Sequence, residues 1–174
     1  MTDNKQSIIC PACGKPMKKI FISSANCNID VCLDGCGGIF FDNMEYKKMD
    51  ENHEDIHELL EATEGKTFSN VNTKLTRVCP ICGQDMVKNF ASAKHEVEID
   101  ECYGCGAVFL DAGELIAIRN QFSTEAERIA DFNKNFFEKY SEDFRIIDER
   151  LAENKKHHRS SAILTVCEKL FGNH

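Results

Sequence analysis

Eight of the ten cysteines form two sets of four that repeat along the chain, and this repeat restricts the possible folds more than any other feature. The first set lies in CPACG and CLDGCGG, at Cys10, Cys13, Cys32 and Cys36. The second set lies in CPICG and CYGCGA, at Cys79, Cys82, Cys102 and Cys105. Cys79 follows Cys10 by 69 residues, Cys105 follows Cys36 by 69, and the flanking segments CGGIFFDNMEY and CGAVFLDAGEL also agree. The chain therefore contains an internal duplication.

The composition favours a compartment in which thiols stay reduced. The 174 residues are 42% hydrophobic and 29% charged, which is typical of a folded protein in water. No charged-then-apolar leader opens the sequence, and no apolar run approaches the ~18 residues of a membrane span. We expect a cytoplasmic protein, in which cysteines more often bind metal than form structural disulfides.

The cysteine spacing predicts two structural zinc sites. Two close pairs separated by about twenty residues are typical of a tetrahedral site with four thiolate ligands. The turns carry Pro11 and Pro80, which restrict the backbone. They also carry four glycines that can adopt a positive φ angle and direct amide N–H groups towards sulfur: Gly14, Gly37, Gly83 and Gly106. We expect two Zn²⁺ per chain, bound by the eight cysteines, and regard a disulfide framework as the alternative.

Strand patterns fill the space between the cysteine pairs. In the first copy they cover residues 18–22, 26–31 and 39–41, and in the second they cover 86–90, 95–100 and 107–110. The expected fold class is a small zinc-stabilised α+β protein. It has two tandem three-stranded antiparallel zinc ribbons, each followed by a helix, and a helical C-terminal tail. About forty residues bury too little apolar surface to fold without a metal.

This pattern divides the chain into four predicted domains or segments. They are ribbon 1 over 1–50, an acidic helix and linker over 51–76, ribbon 2 over 77–120, and an amphipathic helical tail over 121–174. The linker sequence EGKTFSNVNTK is polar enough to be flexible.

Each ribbon ends in a capping-box pattern. Asp42 and Asp111 stand at predicted N-caps, and Glu45 and Glu114 follow three residues later. The alternative of a catalytic carboxylate pair is weaker, because helix capping explains both the spacing and the residue types.

Both copies resemble the transcription factor IIB-type zinc-finger family. Its pattern runs from CPxCG through a second cysteine pair and an aromatic residue to Asp-x-x-Glu-Leu, here over residues 8–47 and 77–116. The resemblance implies zinc bound by the same eight cysteines, and the family name suggests transcription. Two departures stand out. Three residues instead of two separate Cys32 from Cys36, and Phe40 and Phe109 occupy the place of the usual Trp.

The segment HEDIH, from His53 to His57, matches the H-E-x-x-H pattern of zinc proteases. It falls in a predicted helix of about twenty residues that ends before EGKTFSN and has an apolar stripe at Tyr46, Met49, His53, Ile56 and Leu60. The region is acidic, since residues 51–70 contain six acids and one base. A protease also needs a third protein ligand and a substantial cleft, and the chain offers neither. We interpret HEDIH as a solvated helix, with adventitious metal binding or a protease centred on Glu54 as remote alternatives.

Four other cysteine and histidine side chains have structural explanations. Cys27 reads as a partly covered strand residue, with an alternate metal ligand or redox sensor as the sharper alternative. Cys167 lies in an apolar helical pattern, and His157 and His158 lie in a polar segment that predicts a turn.

The last third of the chain predicts an amphipathic helix that starts with a capping box at Thr124 to Glu127. Its apolar stripe recurs every three or four residues: Ile129, Phe132, Phe136, Tyr140, Phe144, Ile147 and Leu151. The basic segment NKKHHRSS predicts a break before a short helix that closes at Gly172. The stripe must be covered, either within the chain or by a protein partner or a second copy of the chain.

Charge selects among the candidate functions. The net charge is −8, and by segment it is zero over 1–50, −5 over 51–70, −2 over 71–120 and −1 over 121–174. Nucleic-acid binding depends largely on neutralised phosphates, so a chain with no basic segment is disfavoured for it. Lys15, Lys18 and Lys19 form the one local exception beside a ribbon strand. We therefore expect a non-catalytic zinc-ribbon adaptor for protein partners. A transcription-associated factor that contacts polymerase or nucleic acid through a ribbon is the alternative.

Overall fold

The computed structural model describes residues 7–42 and 44–171, with side chains described for these except residue 144 and residues 154–171. Ribbon 1 contains strands β1 (Lys18–Ile22), β2 (Cys27–Val31) and β3 (Ile39–Phe41). Ribbon 2 contains β4 (Val87–Phe90), β5 (Glu98–Glu101) and β6 (Val108–Leu110). All six strands pair antiparallel, as predicted from the alternating apolar residues between the cysteine pairs.

The two ribbons share one six-stranded sheet with the strand order β1-β2-β3-β6-β5-β4. The central pair, β3 and β6, is antiparallel and places Phe40 opposite Phe109. These phenylalanines are equivalent in the duplication, because they are 69 residues apart. The sheet therefore has a local pseudo-twofold axis through this residue pair.

The two faces of the sheet have different roles. Phe41 and Leu110 point to one face, where they join a buried cluster with Tyr46, Met49 and Leu115 from the helical segments. Phe40 and Phe109 point to the other face and join a second buried cluster that contains cysteines of both sets. Both rings are almost fully buried, and each such side chain contributes about 1.5–3 kcal/mol relative to exposure. One metal-side core therefore spans the two ribbons.

The helical segments after the ribbons are shorter than the sequence predicts. A 3₁₀ helix (Tyr46–Lys48) follows β3, and helices α1 (His57–Thr63), α2 (Glu114–Arg119) and α3 (Glu125–Phe171) follow in order. The predicted helix of about twenty residues before EGKTFSN is wrong, because α1 has only seven residues. The first four residues of HEDIH precede α1, and His57 is its first residue.

Arg119 explains why the helix does not start earlier. Its guanidinium donates to the backbone carbonyls of Met49 at 2.7 Å, Asn52 at 3.2 Å and Glu54 at 2.6 Å. Those carbonyls would accept intrahelical hydrogen bonds in a continuous helix. A buried arginine from ribbon 2 thus holds the segment after ribbon 1 as a set of turns.

Helix α3 is a single element of 47 residues, about 70 Å long at 1.5 Å per residue. Its N-terminus has the predicted cap, since the Thr124 hydroxyl accepts from the Glu127 amide at 3.2 Å. The predicted break at residues 154–161 is wrong, and these residues are helical. The segment contains no glycine or proline, and its lysines and arginine are good helix formers. Gly172 lies outside the described residues.

The linker after α1 lies against ribbon 1. The Ser69 amide donates to the carbonyl of Gly35 at 2.9 Å, and the Phe68 ring lies over Gly37. Val71 packs on the metal-side core. This part of the linker is therefore held in place despite its polar sequence.

Contacts within the chain define one compact unit that ends at Asp131 and a second that begins at Phe132. The six-stranded sheet lies wholly in the first unit. Within the described part of the chain, none of the helices has the length and apolar character of a membrane span.

The close approach of Gly38 to Phe109 gives a test of the central sheet pairing. A Cβ atom at Gly38 would lie 2.4 Å from the Phe109 ring and 3.1 Å from the Leu110 carbonyl oxygen. We expect Gly38→Ala to destabilise the zinc-loaded protein by about 1–3 kcal/mol, as overpacked cores do, in denaturant unfolding. Gly104→Ala is the control, because its added Cβ would meet only the mobile end of Gln84. Equal stability of the two variants would contradict the tight packing of Phe109 on Gly38.

Candidate metal centres

Each cysteine set lies on two tight turns that open towards each other. In ribbon 1, the Gly14 amide donates to the Cys10 carbonyl at 2.9 Å, and the Gly37 amide donates to the Cys32 carbonyl at 3.1 Å. Gly14 and Gly37 have φ angles of +74° and +75°, which L side chains rarely adopt. The predicted positive φ angle of these glycines is confirmed, and their own amides donate to carbonyl oxygens.

Ribbon 2 repeats this arrangement. The Gly83 amide donates to Cys79 at 2.9 Å and the Gly106 amide donates to Cys102 at 2.7 Å, with φ angles of +74° and +78° at the glycines. Three of the four turns have this hydrogen bond from the glycine four residues after the cysteine, and the Cys32 turn has one extra residue. A positive φ angle at glycine closes all four turns, as expected when local sequence sets the turn.

The turns bring the sulfur atoms of each set together. Within each set, all four Sγ atoms lie within 4.8 Å of one another. The shortest Sγ–Sγ distances are 3.5 Å (Cys10 to Cys36) and 3.4 Å (Cys13 to Cys32) in ribbon 1. In ribbon 2 they are 3.6 Å (Cys79 to Cys105) and 3.3 Å (Cys82 to Cys102).

These distances suit a metal ion and do not indicate disulfides. Zn–S bonds of about 2.3 Å place tetrahedral sulfurs about 3.8 Å apart, close to the observed values. A disulfide bond is about 2.05 Å long, and every described cysteine is free. The two groups are compatible with two structural zinc ions, each enclosed by four thiolates.

The paired sulfurs already favour loss of a proton. A hydrogen bond from Cys10 lowers the pKa of Cys36 to about 5, while the same contact and burial raise the pKa of Cys10. In ribbon 2, burial opposes ionisation of Cys102, but hydrogen bonds from the Cys82 thiol and the Cys105 amide lower its pKa to about 7. One thiol in each set is therefore ready to act as a thiolate ligand.

A buried ion-pair network supports ribbon 2, and sequence reasoning did not predict it. Arg77 donates from Nη2 to both carboxylate oxygens of Asp111 at 2.9 Å. Its Nε lies 3.7 Å from Asp100, and its guanidinium lies 5.5 Å from the centre of the Phe109 ring. Ile8 occupies the equivalent position in ribbon 1. Arg77, which precedes the first cysteine of ribbon 2, thus pairs with Asp111, which follows strand β6. In the sequence, only a comparison of the two copies points to Arg77.

The capping-box prediction is correct for the glutamates and wrong for the N-caps at Asp42 and Asp111. The N-cap of the 3₁₀ helix is Glu45, without a side-chain cap hydrogen bond. Glu45 accepts from the Asp42 amide at 2.9 Å, and Glu114 accepts from the Asp111 amide at 2.7 Å. The N-cap of α2 is Gly113, and the Asp111 carboxylate pairs with Arg77. Burial raises the pKa of Glu114 to about 7, against the opposing effect of its hydrogen bond from Asp111.

The HEDIH histidines lie apart from both sulfur groups. His53 Nδ1 lies 3.2 Å from Glu51, and His57 Nδ1 lies 3.0 Å from Asp55. The Asp55 carboxylate raises the pKa of His57 by its hydrogen bond. Among the described residues, only the two cysteine sets cluster as metal ligands, so neither His53 nor His57 joins such a cluster.

The remaining cysteine and histidine predictions have separate outcomes. Cys27 is half-buried and packs against the buried cluster that contains Phe41 and Leu110. Burial raises the pKa of its thiol. The partly covered strand position predicted for Cys27 is confirmed. The side chains of Cys167, His157 and His158 lie outside the described residues, although the turn predicted around the two histidines is helical.

The lysines of ribbon 1 contact acidic or carbonyl oxygens. Lys18 lies 2.7 Å from Asp34, and Lys19 lies 3.0 Å from the buried Asp30. Lys15 donates to the Asp34 carbonyl at 2.7 Å. The cluster is therefore partly neutralised by its own ribbon.

A sheet of paired ribbons with a four-sulfur group in each defines a tandem zinc-ribbon protein. The model of the transcription factor zinc-finger family matches residues 9–51 and residues 78–120. The chain thus contains two tandem copies of this family's zinc ribbon, as the sequence pattern predicts. Comparisons with curated proteins and with solved structures give no match.

The Arg77 network gives a stability test that the duplication itself controls. Arg77→Ile copies Ile8 of ribbon 1 and leaves the buried Asp111 carboxylate without its partner. We expect a loss of about 3–5 kcal/mol in the unfolding free energy, as for other broken buried ion pairs. Adding Asp111→Asn removes the unpaired charge and should recover part of this loss. Lys18→Ile breaks an exposed ion pair and should cost under about 1 kcal/mol. A similar small loss for Arg77→Ile would contradict the network's role.

Proposed function

We propose that the protein is a non-catalytic zinc-ribbon adaptor, in which two structural zinc ions hold a scaffold that presents binding surfaces to protein partners. The proposed ligands of each ion are the four cysteines of one set. Four thiolates leave no open coordination position, so zinc supplies folding energy and no Lewis-acid chemistry here. The ribbons, joined through β3 and β6, then form a rigid support.

The observation that carries this proposal is the exposed aromatic face of α3. Its described members are exposed by 37% at Phe136 and Tyr140, up to 58% at Phe132. The rings are ordered against each other, with centroids 5.9 Å apart for Phe132 and Phe136 and 4.9 Å for Phe136 and Tyr140. A large exposed apolar patch of this kind is typical of a protein-binding surface.

Ribbon 2 offers a second apolar surface around its sulfur group. Val78, Ile81 and Tyr103 are exposed beside the turns that carry the four cysteines, Tyr103 by 71%. In ribbon 1, the turn that carries Cys32 and Cys36 is partly covered by the linker. Ile9 of ribbon 1 is as exposed as its equivalent Val78, so it is Ile81 and Tyr103 that make ribbon 2 better suited to contact a partner.

A transcription-associated factor is the second candidate, and the name of the matching family favours it. A ribbon contacting RNA polymerase would be an adaptor of a special kind. Direct binding to nucleic acid is opposed by the net charge of −8 and by the ion pairs of Lys18 and Lys19. The protease alternative has little support, because His53 and His57 pair with carboxylates and HEDIH does not lie on one helix.

Metal analysis and chelation test the ligand assignment. We expect two zinc ions per chain, and loss of the strand signal in circular dichroism when a strong chelator removes them. Each structural zinc contributes an apparent ~10–16 kcal/mol to small zinc domains. Cys36→Ser should bind one zinc, and the control Cys27→Ser should bind two, since Cys27 lies outside both groups. Two zinc ions in Cys36→Ser, or an unchanged fold without metal, would refute the assignment.

The α3 face is tested with the double variant Phe132→Ala/Phe136→Ala, and Lys134→Ala/Glu138→Ala on the same helix is the control. In sedimentation and in cross-linking within a cell extract, the aromatic variant should lose its association at least about tenfold, because buried aromatic anchors often contribute 2 kcal/mol or more. The control should keep it.

Equal association of both variants, or a chain that stays monomeric and cross-links to nothing, would contradict the adaptor proposal. Anisotropy with labelled duplex DNA and single-stranded RNA separates the alternative. Salt-sensitive binding that the aromatic variant retains would favour a nucleic-acid-binding factor.

A further inference from the structure

The two sulfur groups differ in their exposure although their internal geometry is the same. The residue Cys82 is exposed, whereas its equivalent Cys13 is only partly exposed. Cys105 is also partly exposed, whereas its equivalent Cys36 is buried. The closest sulfur contacts of these outer cysteines are nearly equal, 3.3 Å from Cys82 to Cys102 and 3.4 Å from Cys13 to Cys32. Access from solvent, and not sulfur geometry, separates the two sites.

The extra residue in the second turn of ribbon 1 contributes to this difference. Three residues separate Cys32 from Cys36, and Gly35 among them lies directly over the sulfurs. A Cβ atom built on Gly35 would be 2.6 Å from Cys32 Sγ and 2.8 Å from Cys13 Sγ. In ribbon 2 two residues separate the cysteines, and a Cβ on Gly104 would meet the Gln84 side chain instead. The backbone thus shields the sulfurs of ribbon 1 only.

The linker adds a second layer over ribbon 1. Ser69 donates to the Gly35 carbonyl at 2.9 Å, and a Cβ on Gly37 would be 2.6 Å from the Phe68 ring. Lys15 donates to the neighbouring carbonyl of Asp34. In the described part of the chain, the backbone hydrogen bonds of the Cys102–Cys105 turn come from ribbon 2 itself, such as Gly106 to Cys102. No second linker contact is described for that turn.

We propose that ribbon 2 carries a thiol-reactive metal site, at which a hydroperoxide oxidises Cys82 and Cys102 to a disulfide and releases zinc. The site of ribbon 1, which the linker covers, keeps its zinc. This inference rests on the ligand assignment made under the proposed function. It adds a difference in reactivity between the two sets, which the presence of four thiolates in each set does not imply.

The chemistry balances between two thiolates and one peroxide. The Cys82 thiolate attacks a peroxide oxygen, so an S–O bond forms and the O–O bond breaks, and the departing oxyanion takes a proton. The Cys102 thiolate, 3.3 Å away, then attacks the Cys82 sulfur, so an S–S bond forms and hydroxide leaves. The two sulfurs lose two electrons, which the peroxide gains. Zinc in ribbon 2 thereby loses two of its four ligands.

The consequence would be a local change in the partner-binding surface. Tyr103 lies within the Cys102–Cys105 turn, and Ile81 lies between Cys79 and Cys82. Both are exposed and depend on those turns for their position. Ribbon 1 and its linker would remain as the folded part of the sheet.

The experiment follows zinc release and cysteine oxidation together in the intact, zinc-loaded chain. Hydrogen peroxide is added, native mass spectrometry counts bound zinc, and peptide mapping locates oxidised cysteines. We expect one zinc to leave at least about tenfold faster than the other, with the first disulfide between Cys82 and Cys102. Simultaneous loss of both ions, or first oxidation in the ribbon 1 set, would overturn the proposal.

Linker variants test the cause of the protection. Phe68→Ala removes the ring contact, and Ser69→Pro removes the amide donor. Both variants should accelerate loss of zinc from ribbon 1 without changing its loss from ribbon 2. Thr67→Ala at a neighbouring exposed position is the control and should change neither rate. Circular dichroism and a starting content of two zinc ions establish that each variant is folded. An unchanged rate of zinc release from ribbon 1 in both linker variants would overturn the role of the linker.

This experiment separates the inference from the proposed function. A starting content below two zinc ions would refute the ligand assignment itself. Two zinc ions that leave at one rate would leave the assignment intact and refute only the difference between the sites.

Discussion

Strand β3 pairs with strand β6, and this contact joins two ribbons that are each too small to bury much apolar surface alone. Phe40 and Phe109 meet across the pairing and are buried on the metal side of the sheet. On the other face, Phe41 and Leu110 belong to the core beneath the helical segments. Gly38 permits this close approach, because a larger residue would collide with the Phe109 ring. Each ribbon has its own group of four cysteines, but the shared sheet gives the two ribbons a common core.

The duplication has retained the fold and changed its surroundings. The cysteine turns and the Asp-x-x-Glu termini remain similar, whereas Ile8 in one copy corresponds to the buried Arg77 in the other. A buried arginine needs partners, and Asp111 and Asp100 provide them. Ribbon 1 instead receives cover from its linker. These differences accompany a greater exposure of Cys82 in ribbon 2 than of Cys13 in ribbon 1.

Sequence reasoning succeeded where a few neighbouring residues decide the conformation. The strand positions followed from apolar alternation, and the positive φ angles followed from glycines placed after paired cysteines. The Thr124 cap of α3 was predicted for the same reason. Sequence reasoning failed for the acidic segment around HEDIH, since Arg119 donates hydrogen bonds to backbone carbonyls that a continuous helix would use. It also failed for Asp111, whose carboxylate turns away from the helix to meet Arg77.

The sequence by itself determined the eight sulfur donors, their grouping into two sets, and the ribbon fold of each copy, because turn geometry and ligand spacing are local properties. Only the tertiary structure decided that β3 and β6 join the copies, that Arg77 pairs with Asp111, and that Phe68 lies over the first set and not the second. These contacts link residues far apart in the chain. Their energies depend on burial and close approach, which no short sequence pattern specifies.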